Sequence, residues 1–257
     1  MQLEGASAVV TGGGGGLGAG TVRRLAAAGM KVVVADFSEE NGKRLADELS
    51  DSAVFVQTDV CNDTSLQNAI DTASELGPLR VAVAAHGGKT ALSRILDRDG
   101  NPFALDLFRM TVETYLTGTF NVLRLSAAAM AKTEPLADGQ RGVVVMTASI
   151  AAMEGQIGQT DYSAAKAGVA GMSLPAARDL APRGIRVLTI APGTFFTPAF
   201  KLDEDVAQAK WGTLVPNPQR MGKPDEYGLL VRQIAENDYL NGEVIRIDGA
   251  QRLGPKA

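Results

Sequence analysis

Tyr162 and Lys166 stand four positions apart in Tyr162-Ser163-Ala164-Ala165-Lys166. On a helix that spacing puts a phenol and an ammonium on one face. A phenol titrates near 10 and is a poor base at neutrality, but a fixed ammonium beside it favours the phenolate and lowers that value. Such a pair can take a proton from an alcohol or return one to a ketone. Ser149 lies 13 residues upstream of Tyr162, just after the apolar run Gly142–Met146, and its hydroxyl can hold the same oxygen. Alone, Tyr-x-x-x-Lys is equally the spacing of an ordinary surface pair. Its meaning depends on what else the chain carries.

What else it carries is a glycine turn. The first apolar run ends in Thr11-Gly12-Gly13-Gly14-Gly15-Gly16-Leu17-Gly18 and opens a helical stretch. Glycines let backbone approach a pyrophosphate, and the N-terminus of the next helix offers free N–H groups. Several registers of the run satisfy G-x-G-x-x-G, so its place between a strand and a helix carries the argument; a merely flexible turn is the alternative. Asp36 ends the second run, 18 residues after Gly18. A carboxylate there accepts hydrogen bonds from the ribose hydroxyls of a dinucleotide and repels a 2′-phosphate. Phe37 follows, with no Arg or Lys directly after it, which predicts NAD over NADP. Asp36 can also simply cap the next helix near Ser38. Asp59-Val60 is a second strand-end acid. Together these features predict hydride transfer to or from a nicotinamide, with Tyr162 moving the proton.

The elements that must hold these residues are an alternating series. Ala6–Val10, Lys31–Ala35, Ala53–Val56, Arg80–Ala84, Gly142–Met146, Ile185–Ile190 and Glu243–Ile247 read as strands. Continuous apolar runs are what parallel strands buried on both faces need. Leu17–Ala28, Glu39–Leu49, Thr64–Glu75, Phe103–Lys132, Asp161–Leu180 and Pro224–Ala235 read as helices. The pattern predicts an α/β, doubly wound Rossmann fold with helices on both faces, residues 1–257 forming one domain. Gly88–Pro102 reads as a loop. The 161–180 helix has little polarity on any face, which fits a core helix or one packed against a second copy of the chain; Pro175 should kink or break it.

Here the chain resembles the short-chain dehydrogenase/reductase family over nearly its whole length. The resemblance rests on Thr11-Gly12-x-x-x-Gly16-x-Gly18, Asp36, Asp59-Val60, Ser149, Tyr162-x-x-x-Lys166, Pro192-Gly193 and Asn241-Gly242-Glu243-x-Ile245-x-Ile247-Asp248-Gly249. Within the family it is most similar to the type 2 3-hydroxyacyl-CoA dehydrogenase branch, also called 17β-hydroxysteroid dehydrogenases, through Gly118–Val122, Thr147–Gln156, Arg178–Pro182 and Leu240–Arg246. The resemblance implies a seven-stranded sheet, NAD, no metal and a homotetramer. It assigns Tyr162 as acid/base, Lys166 to tune it and bind the nicotinamide ribose, and Ser149 to orient the substrate oxygen. The cofactor set it implies is Gly12, Gly15, Gly16, Leu17, Gly18, Asp36, Asp59, Val60, Ala85, Gly87, Tyr162, Lys166, Pro192, Phe195 and Thr197. Two positions depart from the family. Ala84-Ala85-His86-Gly87 replaces Asn-x-Ala-Gly, and Tyr115 replaces the Asn whose water relays protons from the lysine. His86, the single histidine, is an alternative relay or a packed residue beside the loop. These departures motivate a second reading, a catalytically weakened NAD(H)-binding scaffold or redox-sensing protein.

On the substrate side, Thr194–Phe200, Trp211, Leu214 and Val215 are apolar and follow a strand end. They suit a hydrophobic substrate such as a 3-hydroxyacyl-CoA or hydroxysteroid, or are ordinary packing. Lys89, Arg94 and Lys201 either meet a substrate phosphate or are simply solvated. The balance of 45% apolar and 21% charged residues is that of a soluble globule, and a net charge of −4 with scattered basic residues argues against nucleic acid. A single cysteine excludes an internal disulfide and fits a reducing compartment. Met1–Gly5 is too short for a signal or transit peptide and no apolar run spans a bilayer, so a cytoplasmic location away from membranes is expected.

Overall fold

The computed structural model describes every residue except Lys89 and Ala257, and every other side chain but that of Ala199. Seven strands are β1 (Ser7–Thr11), β2 (Lys31–Asp36), β3 (Ala53–Gln57), β4 (Leu79–Ala84), β5 (Gly142–Thr147), β6 (Ile185–Pro192) and β7 (Val244–Ile247). They form one sheet in the order β3-β2-β1-β4-β5-β6-β7, and every pairing is parallel. The helices are α1 (Gly16–Ala26), α2 (Glu39–Leu49), α3 (Asp63–Leu76), α4 (Leu105–Val112), α5 (Gly118–Met130), α6 (Thr160–Leu180), α7 (Glu204–Trp211) and α8 (Pro224–Glu236). This is the doubly wound α/β sheet that the strand pattern predicts.

Both faces of the sheet are covered, which is why the strands are apolar on both sides. On one face Val10, Val32, Val34, Val81 and Val143 share a core with Val22 and Leu25 of α1, Leu45 of α2 and Val231 of α8. On the other, Val9, Val33, Ala82 and Val144 meet Leu66 and Ile70 of α3, Val122 of α5 and Val169 of α6. The chain leaves β1 toward β2 on one side and later returns to place β4 on the other. Where strand order reverses, the strand ends part and a crevice opens at their carboxyl side.

Three helical expectations change. The stretch read as one helix over 103–132 is α4, a π-helical turn at Glu113–Thr117, and α5. Pro175 does not break α6; the helix runs through it to Leu180, with Pro175 on the exposed side. α7 is a helix that the apolar pattern does not announce. Residues 90–104 carry no helix, only a bridge between Leu96 and Pro102 around a turn closed by the Asp97 carboxylate. No helix among the described residues is long and apolar enough to cross a membrane.

Candidate active site

The crevice is a cleft of ≈ 980 Å³ running along the carboxyl ends of the strands. Of the predicted site residues, Gly12, Gly15, Gly16, Leu17, Asp36, Asp59, Val60, Ala85, Gly87, Ser149, Tyr162, Lys166, Pro192, Phe195 and Thr197 all line it. Gly18 does not. It is buried beneath the loop, where any side chain would meet the Gly12 carbonyl, so its work is close packing of α1 on the turn.

The turn is built for backbone. Gly12 has φ +67°, and a Cβ there would come within 2.5 Å of the His86 Cα. Gly15, the residue that precedes and caps α1, has open space where a side chain would stand and gives the helix no side-chain cap. The first N–H groups of α1 therefore face the cleft without intramolecular partners, which fits the pyrophosphate of a dinucleotide. Asp36 uses one carboxylate oxygen to accept from Gly14 N (2.8 Å) and the other from Ser38 N (2.8 Å). It thus pins the glycine turn and starts α2 while facing the cleft. Arg44, in the second turn of α2, also lines this end with Phe37 and Asn41. The residues directly after Asp36 in the chain give no sign of that cation, which arrives from further along the helix. Val60 is fixed by Asn121, whose side-chain amide donates to its carbonyl (2.8 Å).

At the other end, β5 and α6 bring the chemistry together. Ser149 leaves β5 and accepts from Ala151 N (3.1 Å), which starts a short helical turn and aims the hydroxyl inward. Lys166 is 3% exposed and donates to the Thr147 carbonyl (2.6 Å). Its ammonium lies 4.8 Å from the Tyr115 ring centre and 5.8 Å from that of Tyr162. Burial pulls Lys166 down to about 7. That drop corresponds to roughly 5 kcal/mol against the charged form. A cation–π contact returns about 0.5–2 kcal/mol, so desolvation wins.

The tyrosine departs from expectation. Burial, followed by repulsion from Tyr115, pushes Tyr162 up to about 12, and the Ser149 hydrogen bond offsets only part of this. The lysine does not lower the phenol here, because it is itself desolvated. At neutral pH Tyr162 therefore holds its proton.

Tyr115 sits on the π-helical turn, edge-on to Tyr162 with ring centres 5.3 Å apart. Its hydroxyl donates to the Gly88 carbonyl (2.6 Å) and accepts from Gly88 N (2.9 Å). It closes the loop after β4 over the site and has no donor left for a relay. His86 lines the same cleft. It is buried between Thr11 (2.8 Å from Nδ1) and the Thr114 carbonyl (3.2 Å from Nε2), and desolvation, then the charge of Lys166, pulls it down to about 4. It stays neutral near pH 7.

Phe195, Thr197, Pro198 and Phe200 line the cleft in the stretch after β6, with Thr197 next to Gly16, whereas Trp211, Leu214 and Val215 are not among the lining residues. Trp211 instead packs edge-on against Phe200 at 4.8 Å. Met110, Gln156, Gln159 and Leu253 also line the cleft, and of these only Gln156 falls in a stretch that the sequence singles out. Lys89 lies outside the described residues; Arg94 and Lys201 are not in the cleft wall.

With this geometry the chain belongs to the short chain dehydrogenase family, whose pattern matches residues 6–206. It is 46% identical over 256 residues to human 3-hydroxyacyl-CoA dehydrogenase type-2, covering 99% of this chain and 98% of that protein. A crystal structure of 3-hydroxyacyl-CoA dehydrogenase type-2 from Mycobacterium avium superposes with a TM-score of 0.96 at 54% identity, covering 99% of both chains. A 7α-hydroxysteroid dehydrogenase complexed with NADH and 7-oxo glycochenodeoxycholic acid superposes with a TM-score of 0.82 at 26% identity, covering 98% of this chain and 96% of that one.

Proposed function

We propose that this protein is an NAD-dependent dehydrogenase that interconverts a secondary alcohol and a ketone on a hydrophobic substrate, a 3-hydroxyacyl-CoA or a hydroxysteroid. The observation that carries the reading is that Ser149, Tyr162 and Lys166 open onto the same cleft as the glycine turn and Asp36. The relatives named for acyl-CoA and steroid alcohols, one of them holding NADH, support a nicotinamide cofactor and this substrate range.

The chemistry a nicotinamide dinucleotide brings, when bound, is hydride transfer at carbon. The N–H groups opening α1 hold its pyrophosphate, and Asp36 accepts from the adenine ribose and disfavours a 2′-phosphate. Asp59, Val60, Ala85 and Gly87 wall the adenine and ribose side, Pro192, Phe195 and Thr197 the opposite one. Ser149 donates to the substrate oxygen and Tyr162 delivers or removes its proton. Lys166, near 7, exchanges protons at working pH and replenishes Tyr162. A second reading, an NAD(H)-binding scaffold or redox sensor with weakened turnover, is favoured by one observation: the Tyr115 hydroxyl is committed to Gly88.

The protein is proposed to act as a homotetramer. Ala164, Ala167, Gly171 and Leu174 on α6 and Phe120 on α5 are exposed, a small-residue apolar surface suited to a second copy. Light scattering after gel filtration tests it. For the reaction, initial rates with acetoacetyl-CoA, steroid ketones and small ketones, each with NADH and NADPH, separate the readings. The dehydrogenase reading expects steady turnover with NADH; tight NADH binding without turnover on the whole panel favours the scaffold.

A further inference from the structure

The substrate end is closed by the last residues of the chain, and a cluster of charges fixes where they lie. Glu154, five residues after Ser149, accepts from Arg246 Nη1 of β7 (2.7 Å) with one oxygen and from the backbone N–H of Leu253 (3.0 Å) with the other. Arg246 also donates to Asp248 (2.6 Å) and to the Gln251 carbonyl (3.0 Å), and Arg252 stands 3.3 Å from both Glu154 and Asp248. Two further bonds bind the same segments: Gln156 donates to the Gly254 carbonyl (3.1 Å), and Ile157 N to the Pro255 carbonyl (3.0 Å). The Gln251 side chain accepts from Thr194, so the tail is tied to the segment after β6 as well.

The consequence is geometric. The loop that presents Ser149 and the tail that presents Leu253 are joined through the Glu154 carboxylate and through the Gln156 and Ile157 bonds, and Leu253 lines the cleft with Gln156 and Gln159. Surface ion pairs are individually weak, but Glu154 is only 20% exposed, Asp248 8%, and the Arg246 fork is shared between them. A charge-assisted cluster of this kind holds a backbone segment in one place. An apolar side chain held at the mouth by such a cluster sets the bulk that enters.

We propose that the segment from Asp248 to Lys256 is a fixed wall of the substrate end, that Leu253 limits the length or bulk of substrate accepted, and that Glu154 is the positioning residue that sets Leu253. The inference rests on Ser149 and Tyr162 marking the reacting end.

The test uses the whole protein with a series of 3-ketoacyl-CoA thioesters of rising chain length and steroid ketones, with NADH titrations as control. Leu253→Trp should lower kcat/KM at least tenfold for the longest or bulkiest substrate and less than threefold for acetoacetyl-CoA. Leu253→Ala should shift the preference the other way. Glu154→Ala should raise KM three- to tenfold with kcat nearly kept, and Glu154→Gln, whose one amide oxygen can accept from Leu253 N but not from Arg246 as well, should recover part of it. Hydrogen exchange reads the clamp without turnover: the Leu253 amide should exchange at least tenfold faster in Glu154→Ala and less so in Glu154→Gln. NADH affinity should stay within twofold throughout. Parent turnover with an unchanged substrate profile in the Leu253 variants overturns the wall, and unchanged exchange at Leu253 overturns the clamp. Absence of parent turnover on the whole series overturns the functional reading itself and the wall with it.

Discussion

At the β1–β3 end of the cleft the walls are backbone: the glycine turn, the open start of α1 and a single carboxylate that holds two N–H groups in place. At the β4–β7 end they are side chains drawn from four separate stretches of the chain, which hold Met110, then Ser149, Gln156 and Tyr162, then Phe200, then Leu253. A wall of backbone needs particular residue types in consecutive order, because only glycine fits a site such as Gly12. A wall of side chains needs only that distant segments arrive with the right volume. The first end is therefore specified locally and tightly; the second tolerates exchange and decides what is bound there.

Mutations at the two ends should separate binding from chemistry. Lys166→Met should reduce turnover about a thousandfold while NADH affinity falls less than tenfold, in stopped-flow and fluorescence titrations. The same change should stabilise the fold. Lys166 titrates near 7 when folded and near 10.5 when unfolded, so the unfolded chain binds more protons between these values. The destabilisation from burying it is full below about pH 7 and fades toward pH 10.5. Thermal unfolding of Lys166→Met should lie roughly 10 °C higher at pH 6.5, with the gain shrinking at pH 9.5. An equal gain at both values would contradict the desolvated lysine.

At the backbone end, Asp36→Ala should move the NADH-to-NADPH preference about a hundredfold toward NADPH, since Arg44 then faces the ribose unopposed. Specificity constants with the two cofactors measure it. Gly12→Ala should cost roughly 2–4 kcal/mol of stability by urea denaturation, because its positive φ and its neighbour His86 leave no room. A smaller effect is expected at the join between the ends. Tyr115→Phe removes both bonds to Gly88 and should change kcat only two- to fivefold, with KM for the substrate rising as the loop after β4 loosens.

The same contrast explains what is legible in the sequence. The strands read correctly to within a residue or two because a buried parallel strand must be continuously apolar, as in Val32–Val34 and Val143–Val145. The glycine turn, Asp36 and the Tyr162–Lys166 pair are local patterns, and all of them reach the cleft. The π-helical turn at 113–117 is hidden because the single extra residue of an underwound turn barely disturbs the apolar periodicity of α4 and α5. The direction of the Tyr162 titration escapes the sequence because it is set by burial and by Tyr115, neither of which spacing encodes. Leu253 carries no signal at all: Glu154, which holds it, is 99 residues away.

The central claim is that one cleft binds the dinucleotide by backbone and moves the proton through Tyr162. Tyr162→Phe tests it, with NADH titration and ketone reduction measured on the same preparation. The account predicts an NADH dissociation constant within about threefold of the parent and at least a thousandfold loss of kcat. Turnover that survives the loss of that hydroxyl would contradict it.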